Sequence, residues 1–111
     1  MLKFPAEITE ENQETYWGWL NGIADKNGIE YANWSADVVD FDGVAFPAAV
    51  TELEHSTCWR ESSHAVIPPD ATWLDIWKLV DGLIKSSEDW DHCYIEQFDV
   101  CGDTVSVFLG S

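Results

Sequence analysis

The sequence predicts an α+β fold in which two amphipathic helices pack on an antiparallel sheet. Two stretches carry apolar residues at helical spacing, and two alternating apolar runs are each interrupted by an Asp-Gly or Gly-Asp pair. An apolar content of 46% in 111 residues supplies the core. At this length a single domain, residues 1–111, buries roughly two-thirds of the unfolded chain's surface without staples. Seven Trp, five Phe and three Tyr separate the chain from disordered acidic tails, despite a net charge of −16.

The first helix is expected to start near Thr9, with Thr9 as cap and Glu10 and Glu11 in the favourable first turn. It should end at "DKNG", where Gly28 can take the left-handed cap conformation. Tyr16, Trp17, Leu20, Ile23 and Ala24 form its stripe. Trp19 lies about 100° from the stripe's centre, at the edge of the buried face or outside it. The second helix is expected in "PPDATWLDIWKLVDGLIKSS", with Asp70 or Thr72 as cap. Trp73, Ile76, Trp77, Val80, Leu83 and Ile84 share its buried face, and Asp75, Lys78, Asp81 and Lys85 lie opposite.

Turn chemistry predicts two hairpins. In "VVDFDGVAF", Asp42-Gly43 signals a type I′ turn that would put Val39, Phe41, Val44 and Phe46 on one face. In "YIEQFDVCGDTVSVFLG", a turn at Gly102-Asp103 pairs Val100 with Val105 and Phe98 with Val107. The same parity puts His92, Tyr94 and Glu96 on the core side and Cys93, Ile95, Gln97 and Asp99 on the other. "PAAVTELEH" fits a short helix, "HAVIP" a short strand and "STCWRESS" a loop. "WGWLNGI" and "WKLVDGL" share a pattern at an offset of 60, and Gly22 to Gly43 spans 21 residues against 20 from Gly82 to Gly102. A repeated helix-strand-strand unit explains this, and so does chance.

Three cysteines, Cys58, Cys93 and Cys101, cannot all pair within one chain, and "MLKFPAEITEE" lacks the apolar run of a signal peptide. Both observations lead us to expect a reducing cytoplasm. No apolar run approaches the ~18 residues of a membrane span, and the charge disfavours direct contact with nucleic acid or anionic lipid.

His55 and Cys58, with His64, His92, Cys93 and Cys101, are the candidates for a zinc site, but no paired CxxC occurs and adjacent His92 and Cys93 point to opposite faces of a strand. "DFDG" resembles the start of a calcium loop, yet Ala45 and Thr51 stand where that loop needs glycine and glutamate. Cys93 is separated from His92 by the same alternation, and no GxSxG, phosphate loop or HExxH is present. We therefore expect neither catalysis nor a cofactor, with His92 and Glu96 as a structural pair.

Charge is the remaining signal. A compact chain of this length has a radius of gyration near ~13 Å and a diameter of roughly 34 Å, over which duplex DNA carries about 20 phosphates. Sixteen net negative charges are comparable. No Lys or Arg falls between Lys26 and Arg60 or after Lys85. Solubility or salt tolerance could explain the charge. Self-repulsion of this size also destabilises a fold, so a compensating benefit is expected. In size and charge the chain resembles small acidic phage inhibitors, such as anti-CRISPR and anti-restriction DNA mimics, and immunity proteins of nuclease toxins. This resemblance implies a basic partner, a nucleic-acid-binding enzyme or complex, and assigns no residues. The expected docking residues are Asp37, Asp40, Asp42, Glu52, Glu54, Asp89, Asp91 and Asp99, with Trp59 as an anchor or a cap on the core. Two other readings stay open: a small metal-dependent enzyme using the His and Cys residues, and an acidic interaction or assembly subunit with incidental charge. A homodimer also stays open.

Overall fold

Five strands form one sheet in the order β1-β4-β5-β2-β3, with two helices elsewhere along the chain. The computed structural model describes residues 2–5, 7–35, 38–55, 63–87 and 92–110. The elements run α1 (Gln13–Lys26), β1 (Asn33–Trp34), β2 (Glu52–His55), β3 (Ser63–Val66), α2 (Trp73–Ser87), β4 (Tyr94–Cys101) and β5 (Thr104–Gly110). The α+β class is as expected, but the sheet is mixed. β1 runs parallel to β4 and β2 parallel to β5, while β2–β3 and β4–β5 are antiparallel. The radius of gyration is 14.0 Å.

Helix α1 starts later than expected. Residues 10–12 form a turn, and the Asn12 side chain accepts from the Thr9 N–H at 2.7 Å. Its C-terminus follows the expectation, with Gly28 at φ 68° and the Ile29 N–H donating to the Ala24 carbonyl at 3.0 Å. The buried face is rotated from the predicted stripe: Tyr16 and Ile23 are buried, but Trp17 is 51% exposed. Trp19 instead packs against Phe4, Tyr16 and Phe41. The cause is tertiary, because the N-terminal segment gives α1 an apolar neighbour that helical periodicity does not encode. Its placement is held by the Phe4 N–H bonded to the Val39 carbonyl at 2.7 Å.

Helix α2 buries Ile76, Trp77, Val80, Leu83 and Ile84 as predicted. Thr72 rather than Asp70 caps it. The Asp75 N–H donates to Thr72 Oγ1 at 3.3 Å, and Asp75 Oδ2 accepts the Thr72 N–H at 3.0 Å, a reciprocal capping box. Asp81, expected on the solvent side, is 3% exposed. It accepts the backbone N–H groups of Glu30, Tyr31 and Ala32 at 3.2, 2.7 and 3.0 Å, and Lys85 Nζ lies 3.2 Å away. Trp77 adds a second tie to this loop by donating to the Ala32 carbonyl at 2.8 Å.

The first predicted hairpin does not form. A type I′ turn needs positive φ at both central residues, and neither Asp42 nor Gly43 has it. The segment docks on the start of α2 instead: Gly43 and Phe41 carbonyls accept the Trp73 and Leu74 N–H groups at 3.1 and 3.2 Å, and the Ala45 N–H bonds the Ala71 carbonyl. The first two bonds satisfy helix N–H groups that have no intrahelical partner. Phe41 is fully buried, while Val39 and Val44 are exposed. The equivalence of Gly43 with Gly102 that suggested a repeat is therefore not realised, since only Gly102 sits in a left-handed hairpin turn. Residues Glu52–His55 of the expected short helix form strand β2 instead. "HAVIP" overlaps strand β3, Ser63–Val66, as expected, and "STCWRESS" lies mostly outside the described residues.

The second hairpin has the predicted register, with Val100 opposite Val105 and Phe98 opposite Val107. Beyond Phe98 the parity fails. A bulge between Ile95 and Gln97 inserts one residue, so Ile95 is buried and His92, Tyr94 and Glu96 are exposed, the reverse of the expectation. Ile95, Leu53, Val105 and Val107 join Ile76, Trp77, Val80 and Ile84 in one core cluster. Among the described residues no helix is long and apolar enough to cross a membrane.

Candidate functional site

Because side chains alternate along a strand, burial of Leu53, Val105 and Val107 sends their neighbours to the opposite face of the sheet. Strand register then aligns two rows across that outer face. One row is Asp99, Ser106, Glu54 and His64; the other is Cys101, Thr104, Glu52 and Val66. Three of the expected docking carboxylates, Glu52, Glu54 and Asp99, are thus brought onto one surface. None of the five strands contains Lys or Arg.

Local contacts order these groups. His64 Nδ1 is 2.9 Å from Glu52 Oε1, and its Nε2 is 4.0 Å from Glu54 Oε1. Ser106 Oγ donates to Glu54 Oε2 at 3.3 Å. Tyr94 and Phe108 add exposed aromatic surface on the same side, at 45% and 49%. Phe108 escaped the sequence reading as a docking residue. The hairpin register already contained the signal, since core-facing Val105 and Val107 imply an outward Phe108.

The other expected residues are dispersed or undescribed. Asp40 Oδ2 lies 3.7 Å from Lys3 Nζ, its Oδ1 accepts the Asp42 N–H, and Asp42 Oδ2 accepts the Leu2 N–H. These two carboxylates anchor the N-terminal segment and belong to none of the strands of the acidic face. Asp37, Trp59, Asp89 and Asp91 lie outside the described residues, as does Cys58.

The proposed metal ligands are separated by the sheet. His55 is buried on the inner face of β2, whereas His64 is on the outer face of β3. Cys93 and Cys101 flank opposite ends of β4, about 26 Å apart along an extended strand. Among the described residues no group of three or more His, Cys, Asp or Glu side chains is arranged to hold a metal ion. The Glu96 carboxyl group packs against Gly110, where a Cβ would collide with it, and Glu96 is exposed. His92 and Glu96 are both exposed, so neither takes its expected place in the core.

Asp81 has a shifted titration. Burial, the strongest single influence on Asp81, pushes its pKa up, but the N–H groups of Ala32, Tyr31 and Glu30 and the Lys85 ammonium together hold it below its usual 3.8. Asp81 is thus an ionised structural strut. No family model, characterised protein or solved structure was found to match this chain.

Proposed function

We propose that the chain is a non-enzymatic acidic inhibitor that docks on the basic, nucleic-acid-binding surface of a partner protein in the cytoplasm. The observation that carries this reading is the outer sheet face, where Glu52, Glu54 and Asp99 share one surface built from strands without Lys or Arg. Carboxylates on such a face steer a cationic partner over long range, and exposed Phe108 and Tyr94 supply area that excludes water once contact is made. Rigid strands favour the role, because the charges are held in place before binding and little ordering is needed on contact. An anti-defence inhibitor of a nuclease or of a CRISPR or restriction complex fits this surface, as does an immunity protein.

The test is capture from host lysate on immobilised protein, followed by competition with duplex DNA or RNA. We expect a nucleic-acid-binding protein to be retained at low salt and released by the competitor. The triple variant Glu52→Gln, Glu54→Gln, Asp99→Asn should slow association roughly tenfold or more at low ionic strength and flatten its salt dependence. Retention that neither nucleic acid nor these substitutions disturb would overturn the reading.

A further inference from the structure

Strand β4 is covered unequally on its two edges. β5 pairs with it from Tyr94 to Cys101, whereas β1 reaches only Tyr94 and Ile95. On the β1 side the last backbone bond is from the Ser35 N–H to the Ile95 carbonyl, at 3.1 Å. Among the described residues nothing pairs with that edge from Glu96 to Cys101. A strand edge left unpaired by the described residues presents N–H and C=O groups in the geometry that accepts another strand.

A cavity of about 460 Å³ lies beside this edge, with residues 95–98 of β4 as one wall. That size is within the ~300–1,000 Å³ of small-ligand pockets. Trp34, Phe46, Trp73 and Phe98 line it, and their neighbouring ring centroids are 5.2 to 6.2 Å apart. Asp40 is also in the lining, with its Oδ2 3.7 Å from Lys3 Nζ at an exposed contact that an incoming cation would share, and among the described lining residues there is no Lys or Arg. Aromatic faces with a carboxylate at hand favour a cation over a neutral apolar group. Guanidinium is favoured over ammonium because it is planar, weakly hydrated and stacks on rings.

The charge also selects the occupant of the edge. A second copy would bring another −16 against this one, with Glu96 and Asp99 on the pairing strand itself. We propose that an extended, arginine-bearing segment of the basic partner adds to β4 over Glu96–Cys101, with one arginine side chain seated in the aromatic cavity. This rests on the reading of the chain as the acidic member of an electrostatic pair, and it extends the docking surface from the sheet's face to its edge. Side chains of the added strand alternate: one set enters the cavity and the other lies beside Asp99 on the outer face.

The probe is a blocked peptide, acetyl-(Val-Arg)3-amide, titrated into isotope-labelled protein. Its counterpart has each arginine replaced by citrulline, which keeps the shape and removes the charge. We expect the backbone amides of Gln97–Cys101 to shift and gain exchange protection, together with the indole N–H signals of Trp34 and Trp73. The citrulline peptide should bind about tenfold or more weakly, and Asp40→Asn should weaken the arginine peptide about threefold without affecting the citrulline one. Equal binding of the two peptides, or shifts confined to the Glu52 and Glu54 face, overturns the proposal. Protection of the same amides in the free protein also overturns it, by assigning the edge to the chain itself or, where protection grows with concentration, to a second copy. The titration needs no natural partner, so its failure is distinct from failure of the lysate capture, which tests the docking reading alone.

Discussion

Asp81 is a buried carboxylate that ties two parts of the chain together. Its carboxylate ties the loop after α1 to the middle of α2 through three backbone N–H groups. Asp81→Asn keeps the shape and removes the charge, so it should cost about 2–4 kcal/mol, because hydrogen bonds to a charged group are worth ~1.5–3 kcal/mol and a displaced N–H is left buried. The pH dependence follows from the lowered pKa. The unfolded chain takes up the proton first, so the stabilisation is complete above the unfolded value of 3.8 and is lost as pH falls through the lower folded value. Denaturation curves of the two proteins should therefore stay apart at neutral pH and converge only below about pH 3.8. A gap that closes near pH 6 would point to another group. By contrast, Glu96→Gln, at an exposed residue, should change stability by no more than about 0.5 kcal/mol, the reverse of what core placement of this side chain implies.

The two Gly-Asp or Asp-Gly pairs diverge at the scale of elements. Gly102 has φ 64° and closes a two-residue hairpin turn, whereas Gly43 has no positive φ and meets nothing within 4 Å of an added Cβ. Gly102→Ala should therefore lower stability by about 1–2 kcal/mol, the cost of a left-handed non-glycine residue, and Gly43→Ala should be neutral or slightly stabilising. Thermal melts of the two variants check this. Equal losses would mean that residues 41–44 do form the turn their sequence suggests. The Thr72 cap is a second element-scale determinant: Thr72→Ala should cost about 1 kcal/mol by removing one half of the capping box.

For the whole molecule, charge and stability pull in opposite directions. The net charge of −16 is carried by a body of 41 × 31 × 22 Å, so mutual repulsion is screened over a Debye length of about 10 Å at 0.1 M salt. Melting temperature should rise by several degrees between about 10 mM and 0.3 M sodium chloride and then level off as the screening length falls below the spacing of the charges. Continued gain into molar salt would favour salt tolerance as the reason for the charge. The Glu52, Glu54 and Asp99 triple variant should show a smaller gain than the parent, since it removes part of the repulsion that salt screens.

Helix α2, the register of the β4–β5 hairpin, the Gly28 cap and the α+β class were legible in the sequence because each depends on contacts within one element or across one tight turn. Helical spacing in residues 73–84 and the Gly102-Asp103 turn carry that information locally. The acidic face was partly legible: the hairpin register puts Asp99 on the outer face opposite Ser106, but the segment that carries Glu52 and Glu54 was expected to be helical, and its alignment with Asp99 depends on the parallel pairing of β2 with β5. What the tertiary structure decided has a common physical cause, which is competition for backbone hydrogen bonds and buried surface by segments distant in sequence. Phe41 and Gly43 carbonyls satisfy the start of α2 rather than a hairpin, and buried Asp81 satisfies a loop 49 to 51 residues away. One inserted residue near Glu96 reverses the faces of Ile95 and Tyr94, leaving Ile95 in the core beside a strand edge that no local pattern could reveal.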